Sequence, residues 1–259
     1  MSNYKSILTT FVMSLALLSL TAQAQALNDD QVSQLVKQAD DYRMDDVSAR
    51  VISLVHLYKG GELDKTRQYN VYSRPERESL VVFKSAVEAG QKMLMLQDNF
   101  WLQMPKSRRP IRITPMQKLL GDASVGDIST LTWSEDYQGQ WLSDESVNDE
   151  NHNRYATHLI ELTAKTTGAS YQRIVLWLEQ ETGFPIKANL YLRSGKLAKQ
   201  ATFSRGERND APAVTEMTLV DAIQTDKKTV IEYQSITPWQ LDDKFYNPSF
   251  LARNSTSEL

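Results

Sequence analysis

The sequence predicts a mainly β, α+β protein: a single antiparallel sheet of about eleven strands that curls on itself, as in an up-and-down barrel or half-barrel. Two observations carry this. From Asp46 onward apolar residues recur with a period of two, the spacing at which one face of a strand is buried. The runs are separated by turn residues at Gly60-Gly61, Arg74-Pro75, Ala89-Gly90, Asp98-Asn99, Thr182-Gly183, Ser194-Gly195 and Thr225-Asp226-Lys227, a pattern of hairpins rather than of crossover helices.

The 259-residue chain opens with Lys5, an apolar run from Ile7 to Leu20, and two overlapping small-x-small sites, Ala22-Gln23-Ala24 and Ala24-Gln25-Ala26. This reads as a secretory signal peptide over residues 1–24, with the second site placing cleavage after 26; an uncleaved anchor is the alternative. There is no cysteine, so a thiol for an acyl anchor is missing and no disulfide supports the exported fold. Residues 27–251 are then one domain and 252–259 a flexible tail. Removing Lys5 with the leader takes the formal charge from -3 to -4, a weak acidic balance that argues against nucleic acid.

Asp29 to Met44 reads as an amphipathic helix, capped by Asn28, with Asp29 and Asp30 at its positive end and Val32, Leu35, Val36 and Ala39 on one face. Strands follow at Ser48 to Tyr58, Lys65 to Ser73, Glu78 to Lys84, Gln91 to Leu96 and Phe100 to Met104. A short helical piece is expected from Pro115 to Leu120, and the polar stretch from Ser143 to Asn153 reads as a loop. Six further strands are expected at Arg154 to Lys165, Tyr171 to Gln180, Ile186 to Arg193, Leu197 to Ser204, Val214 to Val220 and Thr229 to Ser235. The parity of Val51 to Tyr58 and of Leu80 to Phe83 stays open, because both faces are apolar.

Signals of chemistry are missing. The three histidines, His56, His152 and His158, have no metal-ligand spacing, and no nucleophile elbow, Walker loop or dinucleotide fingerprint occurs. Asp122 and Asp127, flanking Ala-Ser-Val-Gly, read as loop residues bonding nearby amides. Glu135 and Asp136, as neighbours on a strand, would point to opposite faces and cannot flank a scissile bond. Neither catalytic residues, nor a metal site, nor a cofactor is expected.

Two clusters remain. Bulky apolar residues crowd certain strands: Met93, Met95, Phe100, Trp101 and Met104 in one hairpin, and Trp177, Leu190, Leu192 and Phe203 later. Met and aromatics adapt to irregular apolar ligands, and they fill ordinary cores equally well. The second cluster, Lys106, Arg108, Arg109 and Arg112, is a solvated strand edge or a contact for acidic groups, either lipid phosphates or a partner's carboxylates.

The stretch Trp101 to Asp127, WLQMPKSRRPIRITPMQKLLGDASVGD, resembles the outer-membrane lipoprotein-sorting family, the LolA-like periplasmic carriers. The similarity continues through Tyr171 to Leu178, Phe184 to Ala188 and Leu197 to Phe203, and into the closing LDDKFYNPSFL from Leu241 to Leu251. The resemblance implies a half-closed antiparallel barrel with helices covering the open side and an apolar cavity for acyl chains. It implies an acylated lipoprotein or lipid as cargo, with an inner-membrane transporter and an outer-membrane acceptor as partners, the carrier itself being no integral membrane protein. The nine bulky residues are then the cavity candidates and Lys106, Arg108, Arg109 and Arg112 the docking candidates. The alternative is a non-enzymatic envelope sensor or adaptor that uses the same half-barrel for protein contacts. The segment from Pro105 to Asp127 is similar to a branch distinct from the general lipoprotein chaperone.

Overall fold

The computed structural model describes residues 26–44, 47–130, 132–149, 151–224, 226–253 and 259, so the leader expected at 1–24 and most of the expected tail lie outside the described residues. The first element of the described residues is α1 (Asp29–Asp41), which Asn28 caps through a reciprocal pair of bonds with Gln31. Two orphan amides at its start are thereby satisfied. Strands β1 (Ala49–Lys59), β2 (Glu62–Arg74), β3 (Glu78–Phe83), β4 (Lys92–Leu96), β5 (Asn99–Gln103) and β6 (Ile111–Ile113) follow, and then α2 (Val125–Ser129). The second half carries β7 (Tyr137–Asn148), β8 (Arg154–Ala164), β9 (Arg173–Glu179), β10 (Pro185–Tyr191), β11 (Leu197–Arg208), β12 (Ala211–Asp221) and β13 (Lys227–Pro238), and it ends in α3 (Pro248–Leu251).

The thirteen strands of the described residues belong to one sheet in the order β6-β5-β4-β3-β2-β1-β13-β12-β11-β10-β9-β8-β7, antiparallel throughout. The sheet is open, with β6 and β7 as its two edges. Register shifts at Ile52/Ser53, Leu57/Tyr58, Trp141/Ser143 and Ser204/Arg205 add local twist, which bends a long antiparallel sheet.

Three expectations are corrected. The count of about eleven becomes thirteen among the described residues. β6 was read as a solvated basic segment because it is three residues between Pro110 and Pro115. β7 was read in part as a loop because Ser143 to Asn148 is polar apart from Val147, as suits an exposed edge that must not recruit another strand. The helix expected from Pro115 to Leu120 is a turn and an isolated bridge, Lys118 to Ser124; the helical turn forms instead at α2, where Ser124 and Asp127 make a capping box.

The inner face of the sheet carries the main core, with Val51, Val55 and Leu57 of β1 pointing in and their neighbours half-covered. Val32, Val36 and Ala39 of α1 and Val125 and Ile128 of α2 join the same core. A smaller core lies on the outer face, where Tyr72, Leu80, Val82 and Leu94 are covered by Leu241, Tyr246 and Leu251 of the C-terminal segment. This second cover explains why β3 and β4 are apolar at both parities.

Candidate functional site

The connection from β6 to β7, residues 114–136, joins the two edges of the sheet and meets α1. Asp40, in the last turn of α1, accepts the backbone N–H of Trp133 at 2.6 Å and of Ser134 at 2.8 Å. Burial pushes the Asp40 carboxyl up to about 6, against the opposing pull of Arg43 and of the two amides. Arg43 is itself buried, stacked on the Trp133 ring at 4.0 Å, with its Nη1 3.9 Å from Asp40. The other side of α1 approaches β7 closely: a Cβ on Gly139 would lie 2.6 Å from Val32. Gln38 and the Tyr42 hydroxyl both donate to the carbonyl of Thr182, at the β9–β10 turn.

A second buried polar group holds α2 to the sheet. Asp127 accepts bonds from the Ser124 amide and hydroxyl, from the Tyr171 hydroxyl at 2.8 Å and from the Lys199 ammonium at 2.7 Å. Four donors around one carboxylate are what a buried charge requires. A third network joins turns from opposite halves of the sheet. Arg77 pairs with Asp98 at 2.8 Å and with buried Asp136 at 2.6 Å, while Thr166 donates to Asp136 and Thr167 to Asp98. Burial raises the Asp136 carboxyl, opposed by Thr166 and Arg77. Glu135, beside it, is exposed and bonds Thr132; both residues lie in a turn rather than on a strand.

Two of the spaces that adjoin these contacts lie on either side of Thr130 and Thr132. The larger, about 400 Å³, opens between the end of α1 (Lys37, Met44), the β2–β3 turn (Arg74, Arg77) and the 114–136 connection, with Met95 among its lining residues. The smaller, about 40 Å³, lies within the core among Arg43, Trp133, Leu190, Phe203 and Met217. Thr130 and Thr132 line both, so the two spaces share a wall.

The sequence-derived cavity set divides between the faces. Met93, Met95, Phe100, Leu190 and Phe203 are in the inner core; Met95 lines the larger space, Leu190 and Phe203 the smaller. Trp101 lies on the outer face, packed with the small core and covered by the Arg112 guanidinium 4.6 Å from its ring. Trp177 also points outward, donating from its indole to Glu145 at 2.5 Å with the Lys187 ammonium over its ring. Met104 and Leu192 sit beyond the ends of β5 and β10, Met104 exposed and Leu192 half-covered. The sequence reading followed bulk where parity should have ruled: Phe100 and Trp101 are adjacent on a strand and cannot both face in. Leu176 and Leu178, both fully buried, were the available signal that Trp177 faces out.

Of the docking set, Arg112 is held by Trp101 and by Asn99, and Lys106, Arg108 and Arg109 are exposed in the β5–β6 hairpin. Asp40, Arg43 and Trp133 were not singled out from the sequence. Their pairing spans 93 residues of chain, and no local pattern marks it.

A family model described as uncharacterized protein-like matches residues 75–253. A crystal structure of a LolA superfamily protein from Nitrosomonas europaea superposes with a TM-score of 0.76 at 27% identity, covering 85% of this chain and 98% of that one. The chain belongs to the LolA-like family. Two further structures share the LolA-like fold. A DUF1329 family protein from Desulfovibrio piger aligns with a TM-score of 0.68 at 22% identity, over 86% of this chain and 98% of that one. A domain described as an outer membrane lipoprotein-sorting protein, from Vibrio parahaemolyticus, aligns with a TM-score of 0.67 at 19% identity, over 87% of this chain and 100% of its own. A search of curated proteins gave no match to the sequence. Among the described residues, no helix is long and apolar enough to cross a membrane.

Proposed function

We propose that this LolA-like chain is a periplasmic carrier that takes the acyl chains of a lipoprotein or lipid against the inner face of its half-barrel and moves them between envelope membranes. An inner-membrane transporter would load it and an outer-membrane acceptor would unload it. The observation that carries the proposal is that the 400 Å³ opening at Met95 lies against the void among Leu190, Phe203 and Met217, with only the shared wall of Thr130 and Thr132 between them. An opening of this size is within the range of small-ligand sites, and the Vibrio domain, described as lipoprotein-sorting, supplies the context.

Cargo has to displace something, since only about 40 Å³ of the deeper space is empty. The segments that border it outside the strand pairing, Arg43 just after α1 and residues 126–133, belong to two elements that the Asp40 bonds join to each other. They can shift as a cover without unpairing a strand. Each buried CH2 contributes about 0.8 kcal/mol, so ten carbons supply about 8 kcal/mol. Against this stand the bonds that hold the cover to the sheet, from Lys199 and Tyr171 to Asp127 and from Gln38 and Tyr42 to Thr182, about 1.5 to 3 kcal/mol for each bond to a charged group and about 1 kcal/mol for each of the others. The two sums are of similar size, so an acyl chain offsets the opening and its release to an acceptor stays feasible.

A second reading, a sensor or adaptor module, draws on the same filled interior: a chain that packs its own core needs no cargo. One experiment separates the two. Mature protein purified from the envelope is extracted and its bound lipids or acylated peptides identified by mass spectrometry, and the stripped protein is titrated with a fluorescent fatty acid. Co-purified acyl species and saturable binding support the carrier. Empty protein that also fails to bind the probe rejects it in favour of the adaptor.

A further inference from the structure

The 23 residues from Asn99 to Gly121 contain five cations and no carboxylate, in a chain whose formal charge is -3. The structure gathers four of them at one place. Lys106, Arg108 and Arg109 project from the β5–β6 hairpin and Arg112 from β6, one edge of the open sheet. Among the described residues no carboxylate pairs with Lys106, Arg108 or Arg109. Arg112 is oriented by Asn99 and the Trp101 ring, neither of which neutralises it.

Apolar side chains stand beside these charges. Met104 is 39% and Ile111 53% exposed. Ile111 pairs with Leu102, whose side chain packs on the inner core, so the register puts Ile111 at the lip of the inner face. Val87, 71% exposed, is on the adjoining loop, where Gly90 comes close to Pro105; Glu88 on that loop pairs with Arg67 at 3.5 Å. The hairpin is preformed: Gln103 donates to the carbonyls of Met104 and Ser107, both at 2.8 Å, and the Ser107 hydroxyl donates to Arg109 at 2.6 Å. A tip already ordered loses little entropy on docking.

We infer that the β5–β6 hairpin is a docking surface for an anionic phospholipid bilayer, with its cations on the headgroup phosphates and Met104 and Ile111 dipping into the interfacial layer. Unpaired cations alone would suit any polyanion or acidic protein. Exposed apolar side chains between them favour a surface that is charged outside and apolar beneath. Because β6 borders the gap in the sheet, docking there brings the open edge of the half-barrel to the membrane. The inference extends the carrier reading to the step of delivery, and its test stands apart from cargo binding.

The test is flotation of the mature protein with protein-free vesicles, of phosphatidylcholine alone or with about one third phosphatidylglycerol. The expected result is binding to the anionic vesicles only, lost at high salt, as charge-driven binding requires. Each Lys or Arg at such a surface is worth roughly fivefold in partitioning, so R108E/R109E should weaken binding at least about 25-fold. M104S/I111S should weaken it while leaving its salt dependence, and soluble glycerophosphate should not compete. Each variant should keep wild-type fluorescent fatty-acid binding, which shows that it is folded. Failure to bind anionic vesicles, or binding that survives R108E/R109E, overturns the inference and returns the surface to the carboxylates of a protein partner. Vesicle binding without any fatty-acid binding would uphold this inference and reject the carrier.

Discussion

Asp40 and Trp133 join the N-terminal helix to the segment that connects the two edges of the sheet: the carboxylate accepts the Trp133 amide at 2.6 Å, and the indole carries the Arg43 guanidinium on its face at 4.0 Å. One acid thus fixes the relative position of the two elements that the proposed carrier has to move.

The first prediction concerns pH. The Asp40 carboxyl is raised from its ordinary value of 3.8 to about 6, so between those values the folded state holds more protons than the unfolded state. Stability should therefore fall as pH rises from about 4 to about 6, by up to roughly 3 kcal/mol, and be level above that with respect to this group. Urea unfolding of the wild type and of Asp40→Asn at pH 4, 5, 6 and 7 checks this; the variant should lack that part of the slope. Parallel curves would remove Asp40 as its source. Asp40→Ala, which leaves two amides without an acceptor, should be about 2 kcal/mol less stable than Asp40→Asn at pH 7.

Lys199 and Asp127 form a buried pair 2.7 Å apart. Lys199→Ala leaves an uncompensated charge and should cost about 3 to 5 kcal/mol, whereas Lys199→Met combined with Asp127→Asn should recover most of the loss. A double-mutant cycle by chemical denaturation gives the answer, and simple additivity would show that the two do not interact.

At the junction of the two halves, a Cβ on Gly168 would lie 2.7 Å from the Cα of Asp98. Backbone cannot yield there as a side chain would, so Gly168→Ala should separate the β4–β5 and β8–β9 turns and weaken the Arg77 network. The expected loss is about 1 to 3 kcal/mol, seen as a lower Tm. An unchanged Tm would mean that this approach is not tight in solution.

Trp101 and Phe203 should part company. Trp101 is half-buried on the outer face beneath Arg112, so Trp101→Ala should cost about 2 kcal/mol in stability, less than the roughly 3 to 5 of a fully buried aromatic, and leave fatty-acid affinity unchanged. Phe203 lines the inner void against Trp133, and Phe203→Ala should alter that affinity several-fold. Titration of both variants with the fluorescent probe, beside their melting curves, separates the two positions. Equal effects on affinity would contradict this division of the faces.

Much of the architecture was legible in the chain because strand formation writes itself locally. Ala188 and Leu190 alternate with Lys187, Asn189 and Tyr191, and Gly60-Gly61 and Ser194-Gly195 sit at turns, with Gly60, Gly61 and Gly195 at positive φ. Asn28 and Gln31 announced the start of α1 for the same reason. The end of β7 escaped because Ser143 to Asn148 carries one apolar residue, Val147, and β6 because three residues between prolines carry too little pattern. The candidate site was less legible. Bulk at Trp101, Trp177 and Leu192 says nothing about which face a strand turns inward, and Asp40 gives no sign of its partners 93 and 94 residues away.

The sequence by itself determined the antiparallel sheet, eleven of its strands, the capped first helix and the resemblance to the LolA-like family, all of which rest on neighbours in the chain. Tertiary structure decided which face of each strand is interior. Leu80, Val82 and Leu94 are buried on the outer face because the C-terminal segment covers them, and Val81, Phe83 and Met93 on the inner face because α1, α2 and the opposite strands do. Burial depends on what arrives from elsewhere in the chain, and periodicity alone carries no record of it.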